Sequence, residues 1–509
     1  MKRAILGFFD KKPDHPLADV KTVQRLIHDL PKGDALKSLL EISDWFESVG
    51  EIGDFRADQR FEIVQLLDDA ARHYLVKLAR EYYGGISLAT FQENRIQAAL
   101  NNFYARMAQA YHGLLTGYEN NSKGSAALKA HFPLIAVRGM HALQGRMKCA
   151  VARYEKVSPD IWRQLAEFYV HAESHKYADT PVKLYADFAF DITVTRKFLI
   201  VLMWYAPVAS RMNPARIHIA EKLTEHWGTH FLISPNITAD SVLSFDLAQP
   251  DIPDRITGDS SGHANMRFLS AASVNPHIER LFKTLENNIV PDELALGGLF
   301  EAAVVADVVR SLATFWVNPP PVRRHARHHV KIKLGVVHGF ENIVKHITTG
   351  SGSSKTSWDA EDISATGCSC VLQARNAEGI RVGSLMGIQP EKIPHYGVGV
   401  VRRINRDELG NLHVGIEMFG NQVSYAPLRT KHDNNANIHQ ALFLKSAQDQ
   451  KGQVRLLLGR DNFSTNRSLY TQYEDHDCLL IPIALLENGS DFELASYRVV
   501  LEEAADETH

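Results

Sequence analysis

Three consecutive prolines divide this chain into two parts with different patterns. Pro319, Pro320 and Pro321 follow Asn318, and because proline cannot continue a helix and disfavours helical backbone in the residue before it, no helix passes through this point. Apolar residues recur with helical spacing before the prolines, whereas short strand-like runs follow them. A chain of 509 residues also exceeds what one core usually organises. The sequence therefore predicts a multidomain α + β protein, with a large all-α N-terminal region over residues 1–318.

The predicted helical region contains one stretch of different character. Helical periodicity is clearest over residues 60–83, where the apolar positions lie on one face. Residues 228–262 instead combine strand-like runs with turn residues, which indicates a small β insertion. Helices resume after it, and the last is predicted over residues 292–316. This region offers apolar helix faces but no recognisable catalytic motif.

Two short motifs follow the prolines and suit opposite edges of one ligand. The residues are Arg323, Arg324, Arg327, Asp362, Ser364 and Gly367. The first motif is Arg-x-x-x-Arg, whose planar guanidinium groups can hold phosphate oxygens or the O6/N7 edge of guanine. The second is Asp-x-Ser-x-x-Gly, which supplies acceptors for the N1 and N2 hydrogens of guanine. Together they predict a guanine nucleotide site.

This pair of motifs resembles that of the PilZ domain, the bacterial receptor module for the second messenger cyclic di-GMP. Residues 396–401 and 412–417, with a turn at Gly410, look like the closing strands of that domain. The resemblance covers residues 319–425 and implies a six-stranded antiparallel β-barrel that binds cyclic di-GMP. It places the arginines on a flexible arm and the Asp-x-Ser-x-x-Gly residues on a barrel strand. An extra loop at residues 349–354 makes the spacing between the motifs longer than is usual in the family.

Charge and hydropathy limit the remaining partners. The formal net charge of -3 argues against a protein that coats nucleic acid. Residues 318–333 carry five Arg or Lys and no acid, so they create a local positive potential that attracts a small anion. The longest apolar stretch, residues 198–209, is shorter than the roughly 20 residues of a membrane helix. We expect a cytoplasmic protein without a membrane span.

The cysteine pattern favours reduced thiols over a disulfide framework or a metal site. The four cysteines are Cys149, Cys368, Cys370 and Cys478, which are few and scattered for a chain of this length. Cys368 and Cys370 lack a second Cys or His pair at zinc-ligand spacing, so we expect them to pack inside the barrel. We therefore predict no metal, no cofactor and no catalytic residue, and expect the chain not to be an enzyme.

The C-terminal residues 426–509 contain further strand-like runs, which predict either a separate small β module or an extension of the first barrel. The favoured function is a cyclic di-GMP receptor that acts on an unidentified protein partner through the helical region. The pattern leaves the oligomeric state open. One alternative is a PilZ-like scaffold that binds no nucleotide. Another is an enzyme in the helical region regulated by the barrel, which a buried polar cluster among the helices would favour.

Overall fold

The computed structural model describes residues 15–51, 55–85, 88–188, 190–257, 262–316, 327–350, 355–364, 366–373, 379–430, 439–445, 452–473 and 476–501. The chain divides into two compact units. The first comprises Met1–Arg153, Val157–Ala209 and Pro214–Pro321. The second comprises Tyr154–Lys156, Ser210–Asn213 and Val322–His509. Among the described residues, no helix combines the length and the apolar character needed to cross a membrane.

Helices make up most of the described part of the first unit. They are α1 (Val20–His28), α2 (Ala35–Glu51), α3 (Ala57–Tyr83), α4 (Thr90–Glu119), α5 (Phe132–Ala152), α6 (Pro159–Ser174), α7 (Val194–Val208), α8 (Pro214–His226), α9 (Asn275–Leu285) and α10 (Ala302–Phe315). The periodicity over residues 60–83 correctly predicts α3, in which Ile63, Val64 and Leu67 are fully buried.

Helix α5 is buried on most of its circumference, which is the expected position of a helix with apolar residues on all sides. Two glycines allow neighbouring rings to approach it. A Cβ at Gly139 would lie 2.3 Å from the ring of Phe168. A Cβ at Gly145 would lie 2.5 Å from the ring of Tyr104. Larger residues at these positions would push α6 and α4 away from the centre of the unit.

A four-stranded antiparallel sheet interrupts the helices. Its strands are β1 (Leu232–Ser234), β2 (Ser241–Asp246), β3 (Asp254–Arg255) and β4 (Met266–Ser270), in the order β1-β4-β2-β3. The fourth strand lies after the predicted insertion at residues 228–262. The predicted helix over residues 292–316 is wrong before Ala302. Ala295 and Gly297 have positive φ angles of 47° and 71°, a left-handed geometry that ends a helical turn.

The second unit begins with a closed six-stranded antiparallel barrel, as predicted. Its strands are β5 (His328–His338), β6 (Thr356–Ser364), β7 (Gly367–Leu372), β8 (Leu385–Pro390), β9 (Gly397–Arg406) and β10 (Leu412–Gly420), in the order β10-β7-β6-β5-β8-β9. Every strand pair is antiparallel. Alternate residues point inwards and fill the barrel, among them Trp358, Ile404 and Val414, each at most 1% exposed.

A second six-stranded sheet follows directly. It contains β11 (Gln422–Leu428), β12 (His439–Lys445), β13 (Gln453–Gly459), β14 (Leu469–Tyr473), β15 (His476–Asn488) and β16 (Phe492–Leu501), in the order β11-β12-β13-β16-β15-β14. An antiparallel bridge between Arg429 and Tyr470 joins its two ends. Its own core contains Leu456, Leu480 and Tyr497, none of which is exposed.

Helix α11 (Phe340–Thr349), inserted between β5 and β6, packs between the barrel and the second sheet. Phe340, Ile343 and Val344 lie on its buried face, beside Val400 of the barrel and Leu457 of the second sheet. A carboxylate oxygen of Asp491 accepts a hydrogen bond from the backbone N–H of Phe340 at 2.8 Å. An acidic group at this position satisfies one of the unpaired donors at the helix N-terminus.

Candidate functional site

The structure brings together one residue from each predicted motif. Arg327 immediately precedes β5, Asp362 lies on β6, and the antiparallel register pairs His329 with Asp362. A guanidinium nitrogen of Arg327 lies 3.0 Å from a carboxylate oxygen of Asp362. The Arg327 side chain is 43% exposed, whereas that of Asp362 is 16% exposed. The arginine is therefore the more accessible partner of the pair. Arg323 and Arg324 lie outside the described residues.

The remaining motif residues lie where β6 ends and β7 begins. Ser364 and Gly367 are the last paired residues of these two strands, and we call Ser364, Thr366 and Gly367 together the ligand hairpin. The hydroxyl of Ser364 donates to the backbone oxygen of Gly367 at 3.2 Å. The backbone N–H of Met418, on β10, donates to the carbonyl of Thr366 at 2.9 Å. The turn is thus held both across its own ends and by the neighbouring strand.

Gly367 permits a close approach between strands rather than an unusual backbone angle. An added Cβ would lie 2.3 Å from the carbonyl oxygen of Ile416, on β10. This distance is far below van der Waals contact, and the obstructing atom belongs to the main chain. The glycine of the motif therefore lets β7 pair closely with β10, directly beside the turn. The sequence identified this residue but did not reveal this packing reason for it.

Charged side chains lie along β10, which pairs with β7. His413, near the start of β10 and opposite Val371, lies 3.3 Å from both Glu361 and Asp407. Arg402, on β9, lies 2.6 Å from Glu417, and Glu417 is the register partner of Gly367. Acidic and basic side chains are therefore paired with one another along β10, and Glu417 with its partner Arg402 lies beside Gly367. A bound anion is attracted to these basic side chains only if it displaces their carboxylate partners or binds far enough from the carboxylates to avoid repulsion.

A basic groove of about 570 Å³ runs along the outer face of β5, β6 and β8. Its lining includes Lys333, Lys355 and Lys392, together with Glu391. Lys333 lies 2.9 Å from Asp359. The groove does not include Arg327 or Asp362, although it lies on the same strand pair. It adds positive charge to this side of the barrel without being the predicted site itself.

Cys368 and Cys370 pack against the interior of the barrel, with their sulfur atoms 4.0 Å apart. The hydrogen bond from Cys370 lowers the pKa of the Cys368 thiol. No group of three or more His, Cys, Asp or Glu side chains in the described part of the chain could hold a metal ion. The proximity of these two cysteines therefore reflects their alternation on β7.

The helical unit contains a buried ionic cluster that sequence reasoning missed. Arg138, on α5, is 3% exposed, and Asp68, on α3, is not exposed. They are 3.1 Å apart, and the hydroxyls of Tyr111 and Tyr185 donate to Asp68 at 2.7 and 2.8 Å. Arg138 also donates to the carbonyl of Leu184 at 3.0 Å. Each charged group is therefore surrounded by partners, as a buried ion pair requires.

A second buried cluster joins α5 to α8. The ammonium of Lys148 lies 2.5 Å from Glu221 and 2.8 Å from a ring nitrogen of His218. The other ring nitrogen of His218 lies 2.8 Å from the carbonyl of Leu296. Burial lowers the pKa of Lys148, while the neighbouring Lys148 ammonium holds the pKa of Glu221 well below its ordinary value despite burial. Lys148 is 70 positions from His218 and 73 from Glu221 in the sequence, so no local motif indicates this cluster.

The helical unit also carries the match to a known family. Residues 21–237 match the family model described as the N-terminal domain of the cyclic-di-GMP receptor FimW. The match runs from α1 to just beyond β1, and covers less than half of the chain. It lies entirely before the barrel. Comparison with curated proteins gives no match. The family match thus indicates similarity to a cyclic di-GMP receptor, from a part of the chain that contains neither predicted motif.

Proposed function

We propose that this protein is a cyclic di-GMP receptor that binds the messenger at the barrel and acts on a protein partner through its helical unit. The observation that supports the proposal is the 3.0 Å contact of Arg327 with Asp362, one residue from each motif. The FimW match supports the same ligand from a separate part of the sequence. The PilZ resemblance supplies the expected roles of the motif residues.

The Arg327–Asp362 pair suggests how the arginine is positioned for a ligand. The carboxylate keeps the guanidinium group beside the ligand hairpin. An exposed ion pair of this kind contributes only about 0.2–1 kcal/mol. A hydrogen-bonded contact between arginine and a phosphate is worth about 1.5–3 kcal/mol. The arginine can therefore exchange its carboxylate partner for a phosphate with a net gain, which leaves Asp362 to accept hydrogens from guanine.

Arg323 and Arg324 complete the proposed clamp. They belong to the basic segment that leads into β5 and carry the same guanidinium chemistry as Arg327. We assign Arg323 to the phosphate or guanine edge together with Arg327, and Arg324 to the local positive potential. Ser364 and Gly367 fix the turn, so their contribution to binding is to shape the surface on which the base rests. No cofactor is required for this function.

A receptor rather than an enzyme also fits the two buried clusters of the helical unit. A buried polar cluster is the observation that favours the enzyme alternative. However, Asp68, Arg138, Lys148 and Glu221 are all engaged with one another or with neighbouring tyrosine, histidine and backbone groups. Charges already neutralised by fixed partners hold helices together more readily than they activate a substrate. We therefore assign the clusters to the support of the helical unit.

Calorimetric titration with cyclic di-GMP tests the proposal. The wild-type protein should bind, and Arg327→Ala should weaken binding about tenfold or more, because at least one charge-assisted contact is lost. Arg460→Ala, which removes a half-exposed arginine that follows β13, is the control and should leave the affinity unchanged. Asp362→Ala should reduce discrimination against cyclic di-AMP. A wild-type protein that binds no cyclic di-GMP would refute the proposal and favour the non-binding scaffold.

A further inference from the structure

The second sheet has the same strand order as the barrel. If the strands of each are numbered first to sixth along the chain, the neighbours in the barrel run first, second, third, sixth, fifth, fourth. The second sheet gives the same series. In the barrel, the β5–β8 pair joins the first strand to the fourth. In the second sheet the corresponding ends meet at the bridge between Arg429 and Tyr470.

Finer features also agree between the two. All strand pairs in both are antiparallel. The pairing of the fifth and sixth strands has two register irregularities in each case, at β9–β10 and at β15–β16. One extra residue lies on the fifth strand in each pairing, Arg402 in the barrel and Ile483 in the second sheet. The other lies on the sixth strand of the barrel but on the fifth strand of the second sheet, so the two agree in topology and not in every local bend.

The barrel and the second sheet, which we call the second copy, differ in the residues that would bind a nucleotide. After Gly420 the chain contains neither Arg-x-x-x-Arg nor Asp-x-Ser-x-x-Gly. The second copy has no arm either, because β11 begins at Gln422, immediately after β10 ends at Gly420. A positively charged segment comparable to residues 318–333 is therefore missing from its sequence. The second copy keeps the framework of the barrel without the chemistry of the ligand site.

One arginine links the ligand hairpin to the second copy. Glu417 is the register partner of Gly367, and its carboxylate lies 2.6 Å from Arg402. The same guanidinium group donates to both carboxylate oxygens of Glu487, on β15, at 2.8 and 2.6 Å. A bidentate contact fixes the orientation of both side chains. The ligand hairpin is therefore connected to the second copy by the pairing of Gly367 with Glu417, the Glu417–Arg402 ion pair and the Arg402–Glu487 ion pair.

We propose that the second sheet, residues 422–501, is a duplicate of the nucleotide barrel that has no nucleotide site and instead steadies the ligand hairpin through Arg402. The nucleotide part of this inference rests on the proposed function. The steadying part concerns the unliganded protein as well. Glu487, which touches no ligand, then contributes to affinity through Arg402, because a hairpin held in its binding shape loses less conformational freedom when the ligand arrives.

Hydrogen exchange on the full chain without ligand tests the steadying role. Glu487→Gln keeps the shape of the side chain but removes the charge that holds Arg402. Amide exchange should become faster at the ligand hairpin and at Met418, whose N–H bonds to the hairpin. The matched control is Asp477→Asn, which removes a negative charge near the other end of β15 and should leave exchange at the hairpin unchanged. Equal exchange in wild type and Glu487→Gln would overturn the steadying role.

Titration with cyclic di-GMP tests the absence of a second site. The double variant Arg327→Ala, Asp362→Ala should lose all measurable binding, whereas Glu487→Gln should bind about fivefold more weakly than wild type. Binding that persists in the double variant, with exchange protection on β12 or β13, would overturn the inference that the second sheet has no nucleotide site. If the wild type itself does not bind, the proposed function fails, and the exchange comparison still decides whether the second sheet steadies the hairpin.

Discussion

Replacement of Gly367 by alanine gives the sharpest test of how the ligand hairpin is built. The added methyl carbon would lie 2.3 Å from the carbonyl oxygen of Ile416. Carbon and oxygen atoms normally approach no closer than about 3.3 Å, so β7 and β10 must separate locally by about 1 Å. The same movement would stretch the 2.9 Å hydrogen bond between Met418 and Thr366 beyond its useful range.

The cost follows from these two changes and one opposing effect. Insertion of a methyl group where no space exists costs about 1–3 kcal/mol. Loss of the hydrogen bond adds about 1 kcal/mol. Alanine restricts the unfolded chain more than glycine does, which returns about 0.5–1 kcal/mol. We therefore expect Gly367→Ala to destabilise the barrel by about 1–3.5 kcal/mol and to weaken cyclic di-GMP binding.

Gly415→Ala is the matched control on the same strand pair. Its Cβ would lie 3.4 Å from the Cβ of Arg403, an ordinary contact, so the barrel should be unchanged or slightly stabilised. Because two units unfold in this chain, a single melting temperature does not isolate the barrel. Hydrogen exchange of β7 and β10 as a function of denaturant measures it directly. If Gly367→Ala is as stable as Gly415→Ala by this measure, the close-approach explanation of the motif glycine is incorrect.

Two further predictions concern the helical unit. Asp68→Ala should destabilise the helical unit by about 3–5 kcal/mol in denaturant titration, because Arg138 would remain buried without its main partner. Asp69→Ala is the control: Asp69 is a half-exposed partner of Arg138, so its replacement should cost about 1 kcal/mol or less. Burial and the neighbouring His175 lower the pKa of His171 from 6.5 to about 4. Between these two pH values the unfolded chain binds more protons than the folded protein, so the free energy of unfolding of the helical unit should fall as the pH drops. The decrease should be at most about 1 kcal/mol, after allowance for solvent screening. His171→Asn should flatten this pH dependence, and an unchanged slope would show that other groups cause it.

The sequence was informative where a local pattern determines the structure. Period-3.6 spacing predicted α3. The helix predicted over residues 292–316 failed before Ala302, because its apolar composition masked the left-handed backbone at Ala295 and Gly297. Composition does not reveal a backbone angle unless a turn signal is recognised.

Long-range features could not be obtained in the same way. The Lys148–Glu221 contact joins residues 73 positions apart, and each residue alone looks like an ordinary surface charge. The order of strands in the second sheet is also absent from any local pattern, since alternation identifies a strand but not its neighbours. Residues 426–509 could therefore be read as a separate module or as an extension of the barrel. The shared strand order became visible only when the pairings were known.

The longer spacing between the two motifs does not separate Arg327 from Asp362, and the position of helix α11 explains why. β5 and β6 are antiparallel neighbours, paired from Val336 with Thr356 at one end to His328 with Ile363 at the other. Helix α11 enters at the first end, whereas Arg327 and Asp362 lie at the second. Extra residues at one end of a ladder do not prevent pairing at the other end, and here the register shifts once, between His329 and Ile332, before the site is reached. Helix α11 can therefore pack against the second sheet while Arg327 and Asp362 remain in contact.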